Sequence, residues 1–243
     1  MFDLRAAGDW APNQVVVTWT ASTRRTVPEV ERAIEQAWDA ASRRLGDKLF
    51  DGPMCRLEQW SATPARLGLT LSRTSYRVFL GTNLFNATLA DTHGQQVLAN
   101  PVGLSTALQT ADGYLVLGRR NDAVAYYPNR VHPFAGALEP ADRLDVFSDI
   151  RRELREELEL TDDDVPTIRC VGVAEDRDLR QPELIFIAST TRTRAELETQ
   201  LDRAEHHALY PVKVERSAVE RAMADAILTP VAVASLALWL ERS

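Results

Sequence analysis

An α/β fold, with helices layered on a mixed sheet, is predicted by two stretches of this sequence. Residues 15–20 form a β-branched run that precedes a helix-periodic segment. Beyond residue 96, strand-length apolar runs then alternate with amphipathic segments. In the first stretch, Thr26 and Glu29 stand at capping-box spacing, and Val30, Ile34, Ala37, Trp38, Ala41 and Leu45 recur at helical intervals, which predicts a helix. Residues 67–71 and 76–80 read as short extended pieces separated by Ser72-Arg73-Thr74-Ser75. In the second stretch, residues 114–117 read as a strand, followed by a loop rich in Asn, Pro and Gly through Gly136. A helix over 146–160, strands over 167–174 and 183–189, a polar helix near 193–205, a strand near 209–214 and a helix opened by Ser217 and Glu220 complete the order. Thr229-Pro230 reads as an N-cap with proline at the first helical position, opening a buried helix over 231–240. The polar stretch 91–96 suggests a boundary near residue 95, giving an α+β extension over 1–95 and a main domain over 96–243.

Composition narrows the function. A formal charge of −7, with no basic run or interleaved Arg/aromatic segment, argues against a nucleic-acid partner. No apolar stretch reaches bilayer length and no signal-peptide pattern opens the chain, so a membrane partner is not expected and a reducing cytoplasm is the expected compartment. Cys55 and Cys170, far apart and without CxxC spacing, are expected to be buried free thiols. An anionic small-molecule substrate would need a divalent cation or a few well-placed arginines to bind against the net charge.

The chemistry concentrates on the 146–160 helix. On a wheel of ~100° per residue, Val146, Phe147, Ile150, Leu154 and Leu158 form one apolar face, and Glu157 falls ~340° from Ile150, at the edge of the core. A carboxylate held there is costly unless its charge is met, and Glu153 one turn away adds repulsion. Glu153, Glu156 and Glu157 stand at i,i+3 and i,i+4 spacing, so three carboxylates converge on one possible ion. Arg152 is an i,i+4 partner that would orient Glu156. All-oxygen donors select a hard cation, Mg²⁺ or Mn²⁺. An ordinary solvated helix laced with ion pairs fits the same periodicity. The competing chemistries lack their marks: His132, His206 and His207 have no HExxH spacing, Ser105 and Ser148 no GxSxG elbow, and there is no GxxxxGK[ST] loop.

Read with the loop before it, from Ala135-Gly136-Ala137-Leu138-Glu139-Pro140 to Arg152-Glu153-Leu154-Arg155-Glu156-Glu157-Leu158-Glu159-Leu160, the helix resembles the Nudix box, G-x5-E-x7-R-E-U-x-E-E-x-G-U. The loop after Gly136 is about two residues longer than the pattern, the final glycine is replaced by Glu159, and the first glutamate has no counterpart in register. The resemblance extends to a narrower branch, the animal UDP-glucose and UDP-galactose pyrophosphatases. Leu49-Phe50-Asp51, Arg66-Leu67-Gly68-Leu69-Thr70, Asn100-Pro101-Val102-Gly103 and, above all, Thr74-Ser75-Tyr76-Arg77-Val78-Phe79-Leu80-Gly81-Thr82-Asn83 are similar to segments of that branch in the same order.

The resemblance implies an α/β/α Nudix sandwich whose N-terminal extension helps to recognise substrate. It implies Mg²⁺-dependent attack of water on the diphosphate of a UDP-sugar, releasing UMP and a sugar 1-phosphate. It casts Glu153, Glu156 and Glu157 as metal ligands supported by Arg152, and Ser75, Tyr76, Arg77, Asn83, Arg119 and Gly136 as substrate-binding residues; Arg120 and Arg177 are further phosphate-binding candidates. For Glu183 three roles stay open: the metal shell, water activation, or a strand-edge carboxylate facing solvent. Which glutamate takes the proton from water stays open as well. The alternatives in function are hydrolysis of another conjugate such as ADP-ribose, and a nucleotide-binding protein without catalysis.

Overall fold

The computed structural model describes residues 1–242, folded into a larger mixed sheet with helices on both faces and a three-stranded sheet beside it. In chain order the elements are β1 (Phe2–Trp10), β2 (Val15–Trp19), α1 (Pro28–Leu45), β3 (Pro53–Thr63), β4 (Arg66–Ser75), α2 (Tyr76–Phe79), α3 (Leu89–His93), β5 (Gly103–Gln109), β6 (Tyr114–Arg120), β7 (Val131–His132), β8 (Phe134–Ala137), α4 (Val146–Leu158), β9 (Thr167–Asp176), β10 (Gln181–Ser189), α5 (Arg194–Gln200), β11 (His206–Lys213), α6 (Arg216–Met223) and α7 (Pro230–Leu240).

The larger sheet runs β1-β9-β10-β5-β6-β11. Near one end β5 pairs with β6, at Leu108 with Val116 and Gln109 with Leu115. Toward the other end the two strands part, β5 taking β8 and β6 taking β7. The short β7–β8 segment therefore wedges the sheet open beside α4. Alternation decides what each face meets. Leu104, Leu108, Leu184 and Phe186 pack with Ile150, Leu154 and Leu158 of α4, while Ile185 packs with Val231, Ala234 and Leu238 of α7. Leu67, Leu69 and Leu71 of β4 join the α4-side core, so the smaller sheet, in the order β2-β4-β3, shares its interior with the larger one. β1, which was not foreseen as a strand, pairs antiparallel with β9, so this part of residues 1–95 lies within the larger sheet.

Side-chain caps open α4, α5 and α7. Asp145 caps α4 by accepting from the Phe147 N–H at 3.0 Å, and Thr229 caps α7 with Pro230 following. Two expected capping boxes do not form. Pro28 at the first helical position shifts the cap of α1 to Val27, and α6 begins at Arg216 with Glu215 as its cap, two residues before the expected serine. The 76–80 segment, expected to be extended, is helical, and the helix continues as a wide turn over Leu80–Leu84. Its apolar residues fit both periods, and packing selects the helix, because Phe79, Leu80, Thr82 and Asn83 all bury at once. Gly81 lets α1 lie against this turn, since a Cβ there would stand 2.4 Å from Ile34 Cα.

At the C-terminus of α4, Glu159 takes the left-handed conformation, with φ 54° and ψ 26°. This is the position where the Nudix pattern has glycine, and glycine alone has no Cβ penalty there. Glu159→Gly is therefore expected to stabilise the protein by about 1 kcal/mol, read as a rise of a few degrees in thermal midpoint. A midpoint that falls would mean that the glutamate side chain more than offsets the backbone cost.

Candidate active site

Burial along α4 separates its three acidic side chains. Glu153 and Glu157 are buried, whereas Glu156 points outward. Arg152 engages two of them, donating to Glu153 at 2.6 Å and to Glu156 at 2.8 Å. Glu157 turns the other way: one oxygen accepts from the Ala135 N–H at 3.1 Å, and the other lies 2.8 Å from Nε2 of His206. The three carboxylates thus do not meet at one point, because like charges separate and Arg152 draws two of them together. The atoms within mutual ligand distance belong instead to Glu157, Glu205 and His206.

Two glycines supply the room. A Cβ on Gly136 would stand 1.9 Å from Glu153 Oε1, and one on Gly118 would stand 2.3 Å from Nδ1 of His206. The loop backbone and strand β6 can therefore come directly beneath these side chains.

Burial sets the proton affinities. It pushes Glu153 up to about 7, opposed by Arg152 and reinforced by Glu157 and Glu156. Burial and then Glu205 raise Glu157 well above the usual carboxylate range. Burial and the Arg120 charge lower His206 to about 4. The Glu157–His206 contact is accordingly a hydrogen bond in which burial disfavours charge on both partners. This donor set fits a divalent cation: two carboxylates and an imidazole, a nitrogen donor outside the all-oxygen set expected, stand within reach, with buried Glu153 nearby, and a cation would offset the burial and repulsion that raise Glu153.

Glu183 is buried but separate. It pairs in register with Gly103 and hydrogen-bonds to Ser105 on the face it shares with Ile185, which is the α7 face. Burial raises it to about 8, the Ser105 hydrogen bond opposes this, and Asp176 adds repulsion. It is shut from solvent, and both it and Glu157 stand within electrostatic reach of Arg120 and Tyr126.

The other expected binding residues are dispersed. Asn83 is a clamp within the fold, donating to Leu179 O and Arg180 O and accepting from the Asn100 N–H. The Arg77 side chain lies 5.8 Å over the Trp38 ring, Arg177 is paired with Asp3 at the surface, and Arg119 is exposed while Arg120 is buried. Ser75 is the last residue of β4 and Tyr76 opens α2. Tyr76 lines a cavity of about 350 Å³ with Lys48, Phe50, Met54, Ala137 and Glu139. Ala137 directly follows Gly136, so this cavity lies next to the loop beneath Glu153.

Over 146 residues the chain is 36% identical to the uridine diphosphate glucose pyrophosphatase NUDT22 of Mus musculus, covering 55% of this chain and 47% of that protein. Over 137 residues it is 38% identical to the Homo sapiens protein of the same name, covering 49% and 44%. The chain is similar to these uridine diphosphate glucose pyrophosphatases over the matched residues. It spans about half the length of the curated relatives it matches. No family model matches the chain. Among solved structures, DR0079 of Deinococcus radiodurans aligns with a TM-score of 0.44 at 15% identity, over 56% of this chain and 81% of that one. The Nudix hydrolase RenU of M. smegmatis aligns with a TM-score of 0.41 at 18% identity, over 59% and 84%.

The residues of the candidate site that sequence reasoning missed are Glu205 and His206, whose donor atoms lie within mutual ligand distance of Glu157. The sequence singled out His206 only to disfavour zinc chemistry, yet it lies against Glu157. The pairing across 49 positions leaves no local spacing to detect. A weak signal existed in Gly118, a glycine inside a strand, which often marks the close approach of another group. No helix among the described residues is long and apolar enough to cross a membrane. Cys55 and Cys170 are buried free thiols, each pushed up to about 12 chiefly by burial.

Proposed function

We propose that this chain hydrolyses the diphosphate of UDP-sugars, releasing UMP and a sugar 1-phosphate, with Mg²⁺ or Mn²⁺ as cofactor. The observation that carries this reading is the pair of buried carboxylates on α4, Glu153 and Glu157, held over the Gly136 loop in a chain 36–38% identical to uridine diphosphate glucose pyrophosphatases. Glu157, Glu205 and His206 would hold the cation, with Glu153 and Glu156 beside them. A bound divalent cation supplies charge neutralisation at the diphosphate oxygens, whose negative charge otherwise repels a nucleophile.

The chain's own groups then divide the remaining tasks. Glu153, buried beside the proposed cation site, is placed to take a proton from water, a contribution typically of ~10²–10⁴-fold. Arg152 fixes the direction of the Glu153 carboxylate by its 2.6 Å hydrogen bond. Residues 1–95 contribute Lys48, Phe50, Met54 and Tyr76 to the wall of the 350 Å³ cavity, which we assign to the nucleoside end of the substrate. Phe50 is 74% exposed at that wall, a free aromatic face on which a base can stack. Two buried reduced thiols agree with a reducing compartment such as the cytoplasm.

Incubation of the full chain with UDP-glucose, UDP-galactose and ADP-ribose, each with Mg²⁺, Mn²⁺ or EDTA, tests the reading. Metal-dependent UMP release from a UDP-hexose is the expected result. Release of AMP from ADP-ribose without UMP from either UDP-hexose would move the assignment to another conjugate, and no product from any of them would end it.

A further inference from the structure

Buried polar atoms without partners collect beside the α4 carboxylates. Among the described residues, Arg120 Nε, His132 Nε2, His206 Nδ1 and Thr106 Oγ1 are shut from solvent with no hydrogen-bond partner, and they sit on β6, β7, β11 and β5 around the wedge in the sheet. Folded proteins seldom leave such groups unmet, and a cluster of them marks a place where a ligand or an ordered water supplies the missing partner.

Arg120 is the most unusual of the four. The residue is 6% exposed, its Nε is shut from solvent, and its side chain has no hydrogen bond or ion pair among the described residues; its contact is with the Tyr126 ring, 4.7 Å below. Buried cations are ordinarily paired. Glu157 and Glu183 both feel its charge, yet neither is bonded to it.

His132 supplies a second donor. Its Nδ1 lies 2.8 Å from Thr229 Oγ1, which itself accepts from the Ala232 N–H. With the threonine hydroxyl donating to Nδ1, the proton of the neutral ring stands on the unpartnered Nε2. Tyr126 meets this ring edge-on at 6.1 Å, so one aromatic side chain covers both unmet donors.

We propose that Arg120 Nε–H and His132 Nε2–H form an anion subsite that takes a phosphate oxygen of a diphosphate, with the Tyr126 ring as its cover. The choice of a diphosphate as the anion rests on the function proposed above; the existence of an anion subsite does not. The chemistry is that of a guanidinium joined by a neutral imidazole donor, with Arg120 Nε and His132 Nε2 both shut from solvent in advance. Tyr126 belongs to the 121–130 loop between β6 and β7, so this loop has to shift for the anion to enter.

Inorganic pyrophosphate, titrated into the full chain in EDTA and followed by calorimetry and by the side-chain Nε–H resonances of arginine, tests the subsite. The Arg120 Nε–H resonance is expected to move on saturation. R120K is expected to weaken pyrophosphate roughly 10-fold or more, because lysine lacks the fork, and H132Q by a few-fold. Arg169→Lys, at a surface pair with Asp9, is expected to change affinity less than about 2-fold. Equal affinity in R120K and Arg169→Lys overturns the proposal, and so does an Arg120 resonance that stays in place at saturation or absence of binding at about 10 mM. If R120K does not fold, the resonance in the unaltered protein decides. UMP release is a separate reading: a chain that binds pyrophosphate at Arg120 but leaves UDP-hexoses intact keeps the subsite and loses the proposed substrate.

Discussion

Glu157→Gln is expected to cut UMP release from UDP-glucose by roughly 100-fold or more while leaving the metal-free protein as stable as before, or more stable. Groups that only support a metal ligand are typically worth ~10–100-fold, so a residue placed among the ligands should cost at least the upper end. The stability half follows from burial. Glu157 is 4% exposed and its proton affinity is raised well above the ordinary range, which means that its charge opposes folding at neutral pH. Glutamine has the same shape, carries no charge and keeps an acceptor for the Ala135 N–H. Initial rates at saturating Mg²⁺, with melting curves in EDTA, give both numbers. A variant within ~10-fold of the unaltered rate would remove Glu157 from the metal shell. A much lower midpoint would show that its hydrogen bonds outweigh its desolvation.

The metal-free protein should also lose a few kcal/mol of stability between about pH 6.5 and 8. Glu153 at about 7, Glu183 at about 8 and Glu157, raised well above the ordinary range, all hold protons in the folded state that the unfolded chain releases near its ordinary value. Such groups contribute most below the unfolded value, and that contribution drains away as pH rises through the folded one. His206, lowered to about 4, and His132, lowered well below its ordinary 6.5, act in the opposite sense and compensate up to about 6.5. Above that pH nothing offsets the acids. Urea midpoints in EDTA at pH 6.5 and 8 measure the drop. Saturating Mg²⁺ should remove the share due to Glu153 and Glu157 but not that of Glu183, which Glu183→Gln should remove. A curve that Mg²⁺ flattens completely would bring Glu183 into the metal shell after all, and a flat curve in EDTA would contradict the buried carboxylates themselves.

The site was legible wherever chemistry lay within one turn of helix. The apolar face of α4, the inward position of Glu157 and the Arg152–Glu156 contact all follow from a period of 3.6. The convergence of Glu153, Glu156 and Glu157 did not follow, because spacing gives proximity and not direction: once Arg152 holds two carboxylates, Glu157 is free to face His206. Contacts across the sheet were invisible. Glu205, His206 and the exchange of Arg119 for Arg120 as the buried arginine depend on strand pairing and register, which one sequence does not encode locally. The fold was read the same way. Strands rich in β-branched residues, such as β2, stood out, while β1, with alternating polar positions, and β8, inside a Gly/Pro-rich loop, did not.

β1 carries a consequence for how the molecule is made. Phe2 pairs with Asp176 and Trp10 with Cys170, so β1, which is synthesised well before β9, has no partner in the sheet until β9 has been made. Until then its backbone donors and acceptors are open to any passing edge, and the loop that must close to seat it is among the longest in the chain. Completion of the sheet therefore belongs to the last stage of biogenesis, and a ribosome stalled before β9 would display a bare, adhesive ribbon.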